Sequence, residues 1–327
     1  METLDTQFAG ALKRINLSED KVTNVKKAHE DVRDVLDADE TLQGYGASTI
    51  LIGSYGRDVA IQPGHDVDVF CRLPDFDADP ETLYNAVKKP LKDRYKDRLD
   101  DTGSHALSVA FGDEFSVDIV GGTPSASGHW QIPAEDELGG RTQWDETDPE
   151  QLGELAKKRN EAPLVGTQGA YKPVVKLVRQ IRKAHATDKR PNGLYFEMLT
   201  YWAFGRGVTG TTFAEILTAT LEHIATHLES GMIVDDPALG RKFDPAPTPE
   251  QLAAAAKIFR GKATAARAAL GMEKCPAAAA WRQILGKNGN GWVFPLPDDC
   301  DDKGNVIKSI TDISALGPQE ARGFAAS

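Results

Sequence analysis

The sequence Leu51-Ile52-Gly53-Ser54-Tyr55-Gly56-Arg57, followed by Gly64-His65-Asp66-Val67-Asp68-Val69-Phe70, decides the fold of this chain. Thr49 to Ile52 is a short, mostly apolar run, typical of a strand, that ends at Gly53-Ser54. A glycine lets the backbone approach a bulky anion closely, and Ser54 adds a hydroxyl group. A helix that opens at Tyr55 would also point the free N–H groups of its first turn at that anion. The stretch therefore predicts a strand, a tight turn and a phosphate site.

The second stretch predicts a strand with two acids on one face. Apolar residues alternate with Asp66 and Asp68, and this period of two places both carboxylates on the same side. Two like charges repel, which is tolerated where the face is solvated or where a divalent cation lies between the carboxylates and incoming phosphates. A third acid, Asp118, lies between apolar neighbours in Phe115-Ser116-Val117-Asp118-Ile119-Val120. Three carboxylates on neighbouring strands can hold two Mg²⁺ ions, about 3.5–4 Å apart in two-metal sites.

Gly53-Ser54, then Asp66-x-Asp68, then the distant Asp118 resembles the motif of the DNA polymerase beta-type nucleotidyltransferases. Within them the chain is most similar to the CD-NTases, second-messenger synthetases related to oligoadenylate synthetase and cyclic GMP-AMP synthase. The resemblance implies an α+β fold with a polymerase beta-like nucleotidyltransferase core, which is a mixed sheet with helices, plus a C-terminal helical lobe. We expect the core and its N-terminal spine helices in residues 1–150, a helical domain closing over the nucleotide cleft in 151–300, and a flexible tail in 301–327.

The resemblance also implies an activity. We expect a Mg²⁺-dependent enzyme that joins NTPs, ATP among them, into a cyclic di- or trinucleotide second messenger with release of pyrophosphate, in bacterial anti-phage (CBASS) signalling. In this hypothesis Asp66 and Asp68 hold the ion that bridges the donor triphosphate, and Asp118 joins them around a second ion and acts as general base. Gly53 and Ser54 grip the phosphates, and Mn²⁺ substitutes for Mg²⁺. A nucleotidyltransferase with another acceptor (protein, tRNA or small molecule) and a catalytically silent nucleotide-binding module are the alternatives.

After residue 151 the pattern becomes helical, and one helix carries basic residues. From Tyr171 to Arg182 an apolar stripe runs beside a face that holds Lys176 and Arg179. The resemblance implies that basic residues here meet the donor triphosphate, and we carry that role to Lys176 and Arg179, with an ordinary basic surface as the alternative. Relatives often place a serine or glutamine before the next helix. Asn192 stands there in this chain, either as a substitute phosphate ligand or as a helix cap.

Composition limits the partners. The chain has 327 residues, 40% of them hydrophobic, and a net charge of −11. Because proteins that bind long nucleic acid usually carry a basic face, this balance favours small nucleotides. No run of about 18 apolar residues is present and the N-terminus lacks a signal-peptide pattern, so we expect a soluble, cytoplasmic protein without a membrane partner.

The three cysteines, Cys71, Cys275 and Cys300, are far apart and form no Cys-x-x-Cys pair. We therefore expect ordinary reduced thiols and no zinc site. The polar tail, residues 301–327, is expected to be mobile or to engage a protein partner.

Other residues outside the site residues also carry expectations. Residues 121–150 are rich in Gly, Ser, Pro and Asp and predict a long connection, whose Trp130 and Trp144 either stack on a base or pack against the sheet. The two N-terminal amphipathic helices are expected on the back of the sheet. His65 is read as a hydrogen-bonded loop residue rather than a metal ligand, and Arg57 as a brace for the local carboxylates. Glu197, inside an aromatic helix, is expected to pair with a basic neighbour.

Overall fold

The computed structural model describes residues 3–62, 66–112, 115–162, 169–186 and 190–307. These residues form a sheet-based lobe and a helical lobe, so the predicted α+β class is confirmed. The helices are α1 (Asp5–Ile15), α2 (Glu19–Asp37), α3 (Glu40–Gln43), α4 (Gly53–Gly56), α5 (Pro80–Tyr95), α6 (Pro149–Glu161), α7 (Tyr171–His185), α8 (Gly193–Gly205), α9 (Phe213–Glu229), α10 (Pro249–Ala269) and α11 (Lys274–Leu285). The strands are β1 (Ser48–Ile52), β2 (Asp66–Arg72), β3 (Leu99–Asp100), β4 (Leu107–Phe111), β5 (Phe115–Pro124), β6 (Trp130–Ala134), β7 (Gln143–Thr147), β8 (Asp235–Asp236), β9 (Arg241–Lys242), β10 (Lys287–Asn288) and β11 (Gly291–Trp292).

The main sheet is mixed, with the strand order β1-β2-β5-β4-β3. β2 runs parallel to β5 and antiparallel to β1, and β4 pairs antiparallel with β5. Helix α5 lies in the connection that brings the chain back for the parallel pair, as a crossover of this kind requires. β4 and β5 form a hairpin, and residues 113–114 between them lie outside the described residues.

Residues 121–150 contain strands rather than the predicted long connection. β5 continues to Pro124, and β6 and β7 form a hairpin that extends the sheet. Proline and glycine are depleted in strands, so Pro133 and the surrounding glycines concealed this hairpin in the sequence. Trp130 stands edge-on to Phe70 at 5.5 Å between ring centroids, and Trp144 packs partly buried against the sheet core. Both indoles therefore serve packing in this structure.

Two hydrophobic cores divide the molecule. One lies between the sheet and helices α2 and α5, and the other joins α1 to the helical lobe. The expectation that both N-terminal helices cover the back of the sheet is therefore wrong for α1. Its Phe8 packs edge-to-face against Trp281 and Phe294, with ring centroids 5.0 and 5.1 Å apart. Within the described residues, no helix has the length and apolarity needed to cross a membrane.

Cys275 and Cys300 form a disulfide, with their Cα atoms 5.2 Å apart. The expectation of three reduced thiols is therefore wrong for these two, whereas Cys71 is a buried free thiol. The bond closes because the chain after β11 folds back on α11, where Asp299 pairs with Lys274 and Asp302 with Arg282. A return of this kind leaves no periodic signal in the sequence, and the spacing of the two cysteines alone does not reveal it.

A buried ion pair joins the two lobes. Arg57, which follows α4, donates from Nε and a terminal nitrogen to the two carboxylate oxygens of Glu197 on α8, at 2.7 and 3.0 Å. Arg57 is 8% exposed and Glu197 is 1% exposed. The predicted pairing of Glu197 is thus confirmed, while Arg57 makes its hydrogen bonds across the lobes rather than to the local carboxylates. Burial opposes the charge on Arg57, but the Glu197 carboxylate outweighs it and raises the pKa of the guanidinium.

Replacing Arg57 with alanine should lower the free energy of unfolding by about 3–5 kcal/mol, because the change leaves the Glu197 carboxylate buried without its bidentate partner. Urea denaturation at neutral pH measures this loss. Arg267→Ala is the matched control, since Arg267 forms a bidentate pair with Glu222 on the surface, where the side chains are 59% and 34% exposed. That control should cost less than about 1 kcal/mol. Equal losses in the two variants would contradict the role assigned to burial.

Candidate active site

The three predicted acids lie side by side at one end of the parallel strand pair. Asp68 on β2 is directly opposite Asp118 on β5, and Asp66 is opposite Ser116. Neighbouring strands lie about 4.7–4.9 Å apart, so the carboxylates of Asp68 and Asp118 project from adjacent backbone positions. Asp66 is exposed, whereas Asp68 and Asp118 are partly buried. The sheet register therefore concentrates negative charge at one point.

Two serine hydroxyls connect the acids. Ser108 on β4 is opposite Asp118, and its Oγ donates to Asp118 Oδ1 at 2.6 Å. Ser116 lies between the acids, with its Oγ 3.2 Å from Asp118 Oδ1 and 3.3 Å from Asp66 Oδ1. Hydroxyl donors stabilise the ionised form of a carboxylate and limit its rotation.

Gly53 allows α4 to lie directly against the acids. Strand β1 ends beside Asp68, since Ile52 is opposite Asp68 in the antiparallel pair, and Gly53 is the next residue. Gly53 has a φ of +64°, and a Cβ atom at this position would lie 1.7 Å from Asp68 Oδ2. The position thus requires glycine both for its backbone conformation and for the approach of the carboxylate. Ser54, the next residue, lines the same cavity as the acids.

A cavity of about 290 Å³ is lined by the acids on β2 and β5, here called the acid wall, and by basic side chains on α7 and α2, here called the basic wall. The charged and hydroxyl-bearing residues that line it are Lys21, Ser54, Asp66, Asp68, Asp118, Arg179, Arg182 and Lys183. Leu17, Val25, Ile61 and Phe115 add apolar surface. A cavity divided in this way suits a ligand whose anionic groups face the basic wall and whose cations face the acids.

Both walls hold charges that burial destabilises. Burial, together with the charge of Asp118, raises the pKa of Asp68 to about 6. Burial also raises the pKa of Asp118, against the opposing effect of the Ser108 hydrogen bond. On the basic wall, burial lowers the pKa of Arg179, and burial beside Arg179 and Arg182 lowers that of Lys183 to about 8. Carboxylate oxygens are the ligands that hard divalent cations prefer, so the acid wall fits such an ion.

The structure brings most of the predicted site residues together. Gly53, Ser54, the three acids and Arg179 all lie at this cavity. Lys176 does not line it. The Lys176 Nζ pairs with Asp58 at 3.0 Å and Asn16 at 3.2 Å in a neighbouring cavity.

Asn192 is the N-cap of α8, where its Oδ1 accepts from the Tyr195 N–H at 2.9 Å. Gly193, the next residue, lines the cavity beneath the Arg179 guanidinium. His65 lies outside the described residues.

Three basic residues of the cavity were not among the predicted site residues. Arg182 and Lys183 follow Arg179 by three and four positions on α7, so helical periodicity could have grouped them with it. Lys21 comes from α2, far away in the chain, and no local pattern indicates that it meets α7.

Comparisons with known proteins support this architecture. Residues 1–160 match the family model described as the Second Messenger Oligonucleotide or Dinucleotide Synthetase (SMODS) domain. A curated cyclic AMP-AMP-AMP synthase from Acinetobacter sp. is 26% identical over 302 residues, which cover 87% of this chain and 84% of the relative. The Bradyrhizobium diazoefficiens CD-NTase CdnG in complex with GTP superposes with a TM-score of 0.69 at 15% identity, over 86% of this chain and 95% of that one. E. coli MS115-1 CdnC with ATP gives 0.66 at 18% identity, over 89% and 98%. At these identities the two structures establish the fold alone.

Gly53→Ala should abolish binding of a divalent cation at the acids, because the new Cβ displaces the Asp68 carboxylate. Calorimetric titration with Mn²⁺ measures the binding. Gly128→Ala is the matched control, since Gly128 also has a positive φ, +87°, but nothing lies within 4 Å of the Cβ position. The control carries similar backbone strain and should bind Mn²⁺ as the parent protein does. Full Mn²⁺ affinity in Gly53→Ala would contradict the close approach seen here.

Asp68→Asn should stabilise the metal-free protein at pH 7.5 by about 1–3 kcal/mol. The folded pKa of Asp68, about 6, lies above its ordinary value of 3.8, so the parent protein loses stability as the pH rises through this interval and stays less stable above it. The asparagine variant lacks this loss, and below pH 4 the difference should vanish. Urea denaturation in EDTA at several pH values measures it. A stability difference that does not change with pH would rule out the buried charge as its cause.

Proposed function

We propose that this chain, a nucleotidyltransferase of the CD-NTase type with a second messenger oligonucleotide or dinucleotide synthetase domain in residues 1–160, joins NTPs into a cyclic oligonucleotide and releases pyrophosphate. The observation that carries the proposal is the strand register that places Asp68 opposite Asp118, in a cavity that basic residues of α7 also line. This arrangement suits a reaction in which the basic residues bind a polyanionic substrate and the acids bind catalytic cations.

Enzymes of this kind use divalent metal ions, and we propose two Mg²⁺ ions, replaceable by Mn²⁺, held by Asp66, Asp68 and Asp118. When bound, they neutralise the triphosphate and lower the pKa of the attacking hydroxyl. Because Asp68 has a raised pKa, its carboxylate gains more from a neighbouring cation than an exposed acid would.

The remaining groups orient the donor nucleotide. Ser54 and the backbone amides of Gly53 and Ser54 bind the terminal phosphates, and Arg179 offers its guanidinium from the basic wall. Asp118 receives the proton of the acceptor 2′- or 3′-hydroxyl as that oxygen attacks the α-phosphorus. Catalysis then consists of positioning and charge neutralisation.

Lys176 and Asn192 remain phosphate contacts in our proposal, at the margin of the site. Lys176 must exchange Asp58 for a phosphate oxygen, and Asn192 must contact the ligand while its Oδ1 caps α8. Arg182 and Lys183 line the cavity beside Arg179, so we add them as phosphate contacts.

The product is proposed from the relatives. One curated relative is a cyclic AMP-AMP-AMP synthase, so we propose ATP as a substrate and a cyclic trinucleotide, or a dinucleotide, as the product. The expected setting is bacterial anti-phage signalling.

We also propose the division into a core of residues 1–150 and a helical domain of 151–300. The tail, of which residues 308–327 lie outside the described residues, is our candidate for contact with a protein partner.

Asp66→Ala combined with Asp68→Ala should abolish pyrophosphate release from NTPs with Mg²⁺, because the variant lacks two of the three cation ligands. A coupled pyrophosphate assay measures the rate. The variant Asp75→Ala, which removes an acid away from the cavity, should retain turnover. Unchanged release by the double variant would remove the proposed mechanism.

Products from mixed NTPs, identified by mass spectrometry after phosphatase treatment, separate the proposal from its alternatives. A phosphatase-resistant cyclic oligonucleotide formed without added acceptor supports a synthetase. Transfer that requires a protein, tRNA or small molecule would indicate the other acceptor class. A protein that binds NTPs without turning them over would be a silent binding module.

A further inference from the structure

We propose that Ser108 is a positioning residue, whose hydroxyl fixes the Asp118 carboxylate so that one oxygen is presented to a divalent cation. The proposal rests on the proposed function, since it concerns the same acids. It is tested separately because cation binding can be measured in the absence of nucleotide.

The position of Ser108 follows from the sheet register. β4 pairs antiparallel with β5, and Ser108 is the residue directly opposite Asp118. Its Oγ donates to Asp118 Oδ1 at 2.6 Å, within the range of about 2.5–2.7 Å for charge-assisted hydroxyl–carboxylate bonds. Both side chains are partly buried, so water competes less for this bond than it would at the surface.

The two serine hydroxyls bond to one oxygen of the Asp118 carboxylate and leave its other oxygen for a cation. Ser108 and Ser116 both donate to Oδ1, at 2.6 and 3.2 Å. Within the described residues, both serine hydroxyls thus meet the same oxygen of Asp118. Oδ2 is then the oxygen left to ligate a cation.

Ser108 is the stronger of the two orienting groups. Ser116 has a single hydroxyl proton, and it lies at similar distances from Asp118 and Asp66, so its bond is divided between two acids. Ser108 has one carboxylate partner at a shorter distance. The orientation of Asp118 therefore depends mainly on Ser108.

This orientation needs a restraint because Asp68 lies directly opposite Asp118 in the parallel pair. Two carboxylates on adjacent positions repel, and rotation of Asp118 about its side-chain bonds would relieve the repulsion while the cation is absent. The Ser108 hydrogen bond opposes that rotation. We infer that it keeps the acids assembled before a cation arrives, as outer groups around metal ligands do in general.

Ser108→Ala should weaken Mn²⁺ binding by about tenfold or more, measured by calorimetry or by electron paramagnetic resonance without nucleotide. Ser108→Thr, which retains a hydroxyl in a residue that suits a strand, should restore the affinity. With NTP and Mg²⁺, Ser108→Ala should lower kcat while the KM for NTP changes little, because Ser54 and Arg179 are untouched. A purely structural role would not produce this division between kcat and KM.

Ser125→Ala is the matched control, since Ser125 also donates to a carboxylate, Glu146, at 3.1 Å, but does not line the cavity. It should leave Mn²⁺ affinity unchanged. Parent-like Mn²⁺ affinity in Ser108→Ala, or a loss in Ser108→Thr as large as in Ser108→Ala, would overturn the proposal. So would the absence of Asp118-dependent Mn²⁺ binding in the parent protein. Mn²⁺ binding that depends on Ser108 in a protein that makes no oligonucleotide would instead overturn the proposed function alone.

Discussion

The repulsion between Asp68 and Asp118 is the constraint on which the rest of the structure depends. Their strands are parallel neighbours in a fixed register, so the backbone positions of the two acids cannot separate without breaking the sheet. Burial, and after it the charge of Asp118, raises the pKa of Asp68, so the folded chain without a cation holds an unfavourable buried charge. Hydroxyls from Ser108 and Ser116 reduce this cost in part, and a bound cation would reduce it further.

The elements around the acids can be understood from this constraint. Gly53 brings α4 against the Asp68 carboxylate, where any larger residue would collide with it. Arg57, at the end of the same short helix, reaches across to Glu197 and ties this turn to α8. Arg179 lies within 3.8 Å of Glu197 and also faces the cavity. One buried carboxylate thus connects the turn beside the acids with Arg179 of the basic wall.

The distribution of charge gives an acidic protein a locally basic cavity lining. The net charge of −11 disfavours long nucleic acids, yet four basic side chains gather at the cavity. Because like charges are costly to bring together, such a concentration on α7 and α2 needs a local counter-charge, and Asp66, Asp68 and Asp118 supply part of it in the same cavity. The cavity therefore holds concentrated charges of both signs, while the chain as a whole is acidic.

Much of the fold and of the acid site could be predicted from the sequence, because both rest on local patterns. The alternation from Asp66 to Cys71 gives a strand with one acid face, and Gly53-Ser54 marks a turn at the end of a strand. The apolar stripe from Tyr171 to Arg182 likewise predicts α7 and the basic face beside the stripe. Hydrophobic periodicity did not predict the hairpin in residues 121–150, because prolines and glycines interrupt the pattern there. It also did not predict that Lys176 pairs with Asp58, because a helical face does not reveal the partner of a side chain.

Only the tertiary structure decided which distant residues meet. The disulfide of Cys275 and Cys300 and the entry of Lys21 into the cavity depend on how elements pack, and packing is set by shape and burial over the whole core. The sequence by itself determined the acids, the glycine turn and the helical lobe, since hydrophobic period and backbone conformation are properties of neighbours in the chain. The tertiary structure alone places Asp68 opposite Asp118, because the register of β2 and β5 is set by pairing between two segments that are far apart in the sequence.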